Sequence, residues 1–269
     1  MKYMTFNSSC SYAGLANLLT SYGIDTEDRI IALQMGLPYL FAYENGQYYS
    51  GPMLQGAKWF NLYLHPLGLT FTESQLNREE VPLFLQTHTP AMLGLRVTPD
   101  RKHAVIFTAG REEEYHFLNN KHQTSPEPET LNLTGSALFS RLDETVTIGF
   151  LERTEPHSVP LHTHLERSLH VLTALQTDLS AFCSQEQSPA AQRQAMDALF
   201  RPILLDGVTM LELLEEDRLA SNLRTLRTQF TKALKSSRPL ILSSCLDMSL
   251  LTTSMTNYAR LIAAEMETI

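Results

Sequence analysis

The sequence predicts an α+β region followed by a helical one. Two observations carry this. Up to about residue 155, glycine, tyrosine and short β-like runs mix with helix-period stretches, and beyond it only helix-period stripes remain. Within the first part, the helical stretches come early and the strand-like runs come late, the order expected of an antiparallel sheet with helices packed beside it.

The first helix is expected from about Ser11 to Tyr22. Tyr12, Leu15, Leu18 and Leu19 recur at spacings that share one face, and Gly23 follows as a stop. A second helix is expected over 25–34, ended by Gly36 and Pro38. Next comes "LPYLFAYENGQYYSG", split by Asn45-Gly46, a hairpin signal. Helices follow over 55–64 and 78–86. Two strands stand out, "AMLGLRV" after Pro90 and "HAVIFTAG" after Pro99-Asp100. "EYHFLN" and "ETVTIGFLER" add two more, and "HQTSPEPETLNLTG" between them reads as loop. "RTEPHSVP" (Arg153–Pro160) reads as a linker. Beyond it, Leu165, Leu169, Leu172, Leu175 and Leu179 form one stripe. Leu199, Phe200, Ile203 and Leu204 follow, with a break expected at Pro202. Leu219, Leu223, Leu226 and Phe230 form another stripe, and Leu251, Met255, Tyr258 and Ile262 the last. About four amphipathic helices imply a bundle or a cap over the first domain.

The composition bounds the function. A chain of 269 residues with 43% hydrophobic and 19% charged residues can build an ordinary core. A formal charge of −8 argues against nucleic acid and anionic membranes, which need a concentrated basic surface. The N-terminus lacks the apolar core of a signal peptide, and no run approaches the ~18 apolar residues of a membrane span. The expectation is a soluble, cytoplasmic protein. Three widely separated cysteines, Cys10, Cys183 and Cys245, do not make a disulfide framework.

Cys10 stands where a thiol has a reason to react. Unpaired N–H groups at a helix start favour the thiolate, and the cysteine's own N–H can donate to an oxyanion. His103 opens the strand "HAVIFTAG", and the next strand ends in Asn119 and Asn120, either of which can orient the ring if the strands pair. The plainer reading is that a lone cysteine beside an apolar run is a small core residue.

Other features are weaker. His157, His162 and His164 in "HSVPLHTH" have H-x-H spacing, but no cysteine or carboxylate cluster completes a zinc site, and no metal is expected. His116 is expected to be exposed or packed, and His122 to be solvated or to line a cleft. "REEE" (Arg111–Glu114) reads as a solvated turn and "LEEDR" (Leu214–Arg218) as an exposed helix face. The tyrosines of "FAYENGQYYSGPMLQGAKWF" and Trp59 fit either a pocket wall or core. Cys183 and Cys245 are expected to be buried thiols. No phosphate-binding loop or dinucleotide fingerprint is present, and no cofactor is expected.

"CSYAGLANLLTSYGI…LPYLFAY", followed later by "PAMLGLRV…HAVIFTAGREEEYHFLNN", resembles the papain-like C39 peptidases, and most nearly the N-terminal domain of the butirosin biosynthesis protein H family. The resemblance covers about residues 5–150. It implies a papain-like (C39-like) catalytic domain over 1–155 and an all-α helical domain over 156–269. It also implies acyl chemistry through a thioester on Cys10, by an acyltransferase, amide or thioester hydrolase, or peptidase. His103 would be base and acid, and Asn119 or Asn120 the orienting group. C39 peptidases keep a glutamine for the oxyanion hole a short way before the cysteine. Here that place is Met4, and Asn7 is the nearest side-chain amide. Their third residue is usually aspartate, and here it is asparagine. The partners implied are a small-molecule or peptide substrate, with an acyl-carrier protein as a candidate donor; a homodimer is a candidate assembly. A catalytically inactive binding protein of the same fold is the alternative, with Met4 as its support.

Overall fold

The computed structural model describes residues 2–98, 101–111, 114–120 and 129–269. The elements run α1 (Ser11–Thr20), α2 (Asp28–Gln34), β1 (Phe41–Glu44), β2 (Gln47–Ser50), α3 (Ala57–Leu64), β3 (Leu69–Asn77), α4 (Val81–Thr87), β4 (Ala91–Thr98), β5 (Arg101–Arg111), β6 (Glu114–Asn119), β7 (Thr130–Thr134), α5 (Gly135–Arg141) and β8 (Thr145–Arg153). Then come α6 (Leu161–Ser184), β9 (Glu186–Gln187), α7 (Pro189–Ala195), α8 (Val208–Leu213), α9 (Asp217–Ala233), β10 (Leu240–Ile241) and α10 (Met248–Thr268). They form two compact units, residues 1–35 with 55–159, and residues 36–54 with 160–269.

The first unit is a six-stranded antiparallel sheet with helices on both faces. Its order is β3-β8-β4-β5-β6-β7. Alternate residues of a strand point to opposite faces. Leu93, Leu95, Val105, Phe107, Phe117 and Ile148 accordingly form one core with Val81 and Leu85 of α4 and Leu138 of α5. On the other face, Tyr12 of α1 meets Phe60 of α3 edge-to-face, and Phe60 meets Phe71 of β3 in the same way. Leu15, Leu18 and Leu19 of α1 are wholly buried, each contributing roughly 1.5–3 kcal/mol. The helix ends two residues earlier than the pattern suggests. Gly23 turns left-handed at φ 78°, and the Gly23 and Ile24 N–H groups return to the carbonyls of Thr20 and Leu19.

Two elements of this unit run against the sequence reading. β3 lies in a stretch with no expected strand, the expected loop 122–135 contains β7, and α5 follows in a stretch with no expected element. β3 and β7 are the two edges of the sheet. An edge strand such as LTFTESQLN carries polar residues at every other place, so its apolar signal is diluted.

The second unit is helical with two small β pairs. Buried Leu165, Leu172, Leu175 and Leu179 of α6, Leu219, Leu223, Leu226 and Phe230 of α9, and Leu251, Met255, Tyr258 and Ile262 of α10 are the expected stripes, whereas Leu169 is half-buried. The β1–β2 hairpin turns on Asn45-Gly46, both at positive φ, as its sequence predicts. It belongs with the helices and not with residues 1–155. Ser168 Oγ of α6 accepts the Phe41 N–H at 2.9 Å, Tyr48 OH donates to Asp178 at 2.6 Å, and Ser50 Oγ donates to the Pro202 carbonyl at 2.7 Å. Beyond residue 156 the described elements are helices, apart from the two-residue strands β9 and β10, which pair with each other. No break occurs at Pro202. The chain passes it in π-helical turns, Met196–Phe200 and Pro202–Gly207, which absorb the missing N–H donor. Tyr48 and Trp59 are buried, so they pack as core residues within their own units.

No described helix is long and apolar enough to cross a membrane. Pro99, Asp100, His122 and Glu112 and Glu113 of "REEE" lie outside the described residues. Of the "LEEDR" segment, Leu214–Glu216 form the turn between α8 and α9, where Glu215 adopts φ 61°, and Asp217 and Arg218 are exposed in the first turn of α9.

Candidate active site

The site is built on β5 and β6 and closed by the start of α1. Phe6 and Ser9 are buried, and the buried carboxylate of Asp28 accepts the Thr5 N–H at 2.6 Å. This anchoring delivers Cys10 to the N-terminus of α1. There its Sγ accepts the backbone N–H of Ala104 at 3.0 Å, a contact between residues 94 apart in the chain. The last pair of the β5–β6 ladder is Val105 with Asn119. Ala104 lies one step beyond it, so its N–H and carbonyl need side-chain partners. The thiol takes the N–H, and Asn120 Nδ2 donates to the carbonyl at 2.8 Å.

The two asparagines divide the work because neighbouring strand residues face opposite ways. Asn119 Oδ1 lies 3.2 Å from Nδ1 of His103, and so is the residue that meets the ring. Asn120 turns the other way. It is fully buried, and its Oδ1 accepts from Asn17 Nδ2 of α1 at 2.8 Å. Asn120 therefore ties α1 to β5 and does not orient the imidazole. Asn17 and Glu129 are unheralded in the sequence reading. Glu129 Oε1 accepts from Asn119 Nδ2 at 2.6 Å, and the Glu129 carbonyl accepts the Asn119 N–H at 2.9 Å. Polar residues with no periodic pattern give no sequence signal for such partnerships.

Cys10 and His103 line one cleft of about 290 Å³. Its lining draws on both alternating sets of β4 and β5, Leu93 and His103 as well as Met92, Gly94 and Ala104. Phe71, Glu73, Met92, Gly94, Thr147 and Gly149 line it, together with Ser11 and Gln55. Glycines at 94 and 149 keep its floor low. A Cβ on Gly149 would sit 1.9 Å from the Phe71 ring, whereas one on Gly94 would point into open space. Gln55 approaches the start of α1, its Oε1 accepting from Ser11 Oγ at 2.7 Å. Asn7, the expected oxyanion amide, is exposed and is not among the lining residues. The burial of Phe6 next to it turns residue 7 outward.

The electrostatics differ from the expectation at Cys10. Burial pushes the thiol up, and the N–H groups of Ala104 and of Cys10 itself only partly oppose this. A helix start alone favours the thiolate, but here desolvation is the larger effect. The Cys10 thiol makes its hydrogen bond to the Ala104 N–H and not to the imidazole. The other thiols differ from one another. Cys183 is buried and pushed up to about 11, whereas Cys245 is exposed, contrary to expectation, because it follows a short 3₁₀ turn rather than lying on a helix stripe.

Several other described histidines have local partners. His116 Nδ1 is 2.8 Å from Asn132 Oδ1, the His157 ring lies tilted against that of His65 with centroids 4.1 Å apart, and His162 pairs with Glu166 at 3.7 Å. Among the described residues there is no group of three His, Cys, Asp or Glu placed to hold a metal ion.

No family model matches the chain. No curated protein matches it. Among solved structures, a double glycine motif protease from an AMS/PCAT transporter, crystallised in complex with the leader peptide, is similar at 12% identity and a TM-score of 0.38, covering 56% of this chain and 89% of that one.

Proposed function

We propose that the protein is a cysteine-dependent enzyme of papain-like, C39-like fold that forms an acyl-enzyme on Cys10 and resolves it with water or an amine. The observation that carries this reading is the convergence on one cleft of Cys10, at the N-terminus of α1, and His103, whose ring nitrogen is held by Asn119. The resemblance of residues 5–150 supports the same reading.

The chemistry follows from the positions. His103 Nδ1 is engaged by Asn119, which leaves Nε2 as the base. Nε2 takes the thiol proton as Sγ bonds the carbonyl carbon, so no thiolate need exist beforehand, consistent with the raised thiol. The carbonyl π electrons move to oxygen. The Ala104 N–H, which donates to the sulfur at 3.0 Å, and the Cys10 N–H at the start of α1 would be the donors to the oxygen of a carbonyl bonded there. The leaving group departs with the proton from His103, and a thioester remains. Water or an amine then attacks with His103 as base, and Cys10 is regenerated. Acyl transfer to an amine is the finer form of the proposal, and hydrolysis of a peptide or amide the alternative.

The test uses p-nitrophenyl acetate with intact-protein mass spectrometry and peptide mapping. Acetylation of Cys10 is expected in the wild type, with loss in Cys10→Ser and His103→Ala and retention in Cys245→Ser. Adding an alkyl amine then separates transfer from hydrolysis by the product formed. A raised thiol with no bond to the imidazole is also what a binding protein of this fold would show. Acetylation of Cys10 at an equal rate in His103→Ala would favour that second reading.

A further inference from the structure

An asparagine amide has an oxygen and a nitrogen of almost the same size, so its hydrogen-bond partners decide which way it faces. In a triad that choice matters. With the oxygen toward the ring, the histidine carries its proton on Nδ1 and keeps a lone pair on Nε2. With the nitrogen toward the ring, the proton moves to Nε2 and the base is lost. In this site the neighbour on the far side is a carboxylate, Glu129, whose Oε1 lies 2.6 Å from Asn119 Nδ2. An ionised carboxylate can only accept. The amide NH₂ must therefore face Glu129, and Oδ1 must face His103 Nδ1, as found at 3.2 Å. The main chains of Asn119 and Glu129 are bonded to each other as well, so the pair moves as one piece. Asn119 is 3% exposed, and little water competes for its amide.

We propose that Glu129 is a positioning residue that fixes the orientation of the Asn119 amide and thereby the Nδ1–H tautomer of His103. Its role in catalysis rests on His103 being the base of the proposed reaction, but the tautomer itself does not. Glu129 replaces what an aspartate in the third position would do directly. It sets the carboxylate one residue further back, and the neutral amide passes its directionality to the ring.

The experiment is ¹⁵N NMR of imidazole-labelled full-length protein above the ordinary imidazole range of about 6.5, with His103 assigned by comparison with His103→Ala. The wild type is expected to show His103 as Nδ1–H. In Glu129→Gln, whose amide can donate as well as accept, the Nε2–H form is expected to rise to a comparable population. The double variant Asn119→Asp/Glu129→Gln is expected to return to Nδ1–H, because the new carboxylate accepts from the ring and the glutamine donates to it. Acetylation of Cys10 is expected to slow in Glu129→Gln, with a ceiling of roughly 10⁴-fold, the effect of a wrong tautomer in a serine-protease triad, and to recover in the double variant. A wild-type His103 in the Nε2–H form, or the same tautomer in wild type and Glu129→Gln, overturns the proposal. Nδ1–H in the wild type without any acetylation of Cys10 leaves the positioning role standing and removes the catalytic reading.

Discussion

Substituting alanine for Gly14 sets a local preference against the packing of the site. Gly14 lies within α1, where alanine is favoured by about 1 kcal/mol on helix propensity. The added Cβ would stand 2.6 Å from Met92 Sδ, 3.0 Å from Asn120 Nδ2 and 3.5 Å from Ile106 Cδ1. Methionine is flexible and can yield. Asn120 cannot, because it is fully buried and its Nδ2 is held by the Ala104 carbonyl at 2.8 Å. Displacing it leaves a buried carbonyl unmet, at about 1–3 kcal/mol, and overpacking adds a similar amount, about 1–3 kcal/mol. After the helix gain, Gly14→Ala is expected to be destabilised by about 1–5 kcal/mol. Trp59, the chain's one tryptophan, is buried in the same unit, so its fluorescence reports urea unfolding there. With an m-value of about 1–3 kcal/mol/M, the midpoint should fall by roughly 1 M. In an Asn120→Ala background the clash is relieved, and alanine at 14 should become neutral or stabilising. A midpoint raised by Gly14→Ala in the wild-type background would refute the reasoning, showing that Asn120 does not pin α1 to β5.

Three further outcomes are expected. Because burial pushes the Cys10 thiol up, iodoacetamide at pH 6 should label Cys10 more slowly than exposed Cys245, and the Cys10 rate should keep climbing through the ordinary thiol range of about 8.5; preferential labelling of Cys10 at pH 6 would instead reveal a preformed thiolate. Gly94→Leu should block the cleft without disturbing the fold, since a Cβ there meets nothing within 4 Å; cleft closure is read as lost acetylation of Cys10 by p-nitrophenyl acetate, and an unchanged rate with unchanged stability would place the reacting carbonyl elsewhere. Burial also raises the carboxyl of Asp28. The folded state then holds its proton more tightly than the unfolded chain, so the contribution of Asp28 is full below about pH 3.9 and is lost as pH rises through the folded value. In urea unfolding, the stability of wild type relative to Asp28→Asn should therefore fall as pH rises from the acid limit; a difference that grows with pH would show that the Thr5 and Arg29 N–H groups outweigh desolvation.

Much of the chain was legible wherever burial writes a period into it. The stripes of α1, α6, α9 and α10 and the central strands β4, β5 and β6 are packed against apolar neighbours, so their patterns declare them. Asn45-Gly46 declared the hairpin because few other residue pairs accept two positive φ values. The edge strands β3 and β7 did not declare themselves, since pairing on one side leaves polar residues at alternate places. The hairpin's allegiance to the helical unit was invisible as well, because it depends on Ser168, Asp178 and Pro202, more than a hundred residues away.

For the site, local sequence determined the parts: a cysteine opening a helix, a histidine near the start of a strand, and two asparagines ending the next strand. Only the tertiary structure decided their roles. Strand pairing at Val105–Asn119 left Ala104 free to meet the thiol, and opposite-facing neighbours gave Asn119 to the ring and Asn120 to α1. The state of the thiol was decided there too, because charge stabilisation at a helix end is local, whereas desolvation depends on everything that folds over it.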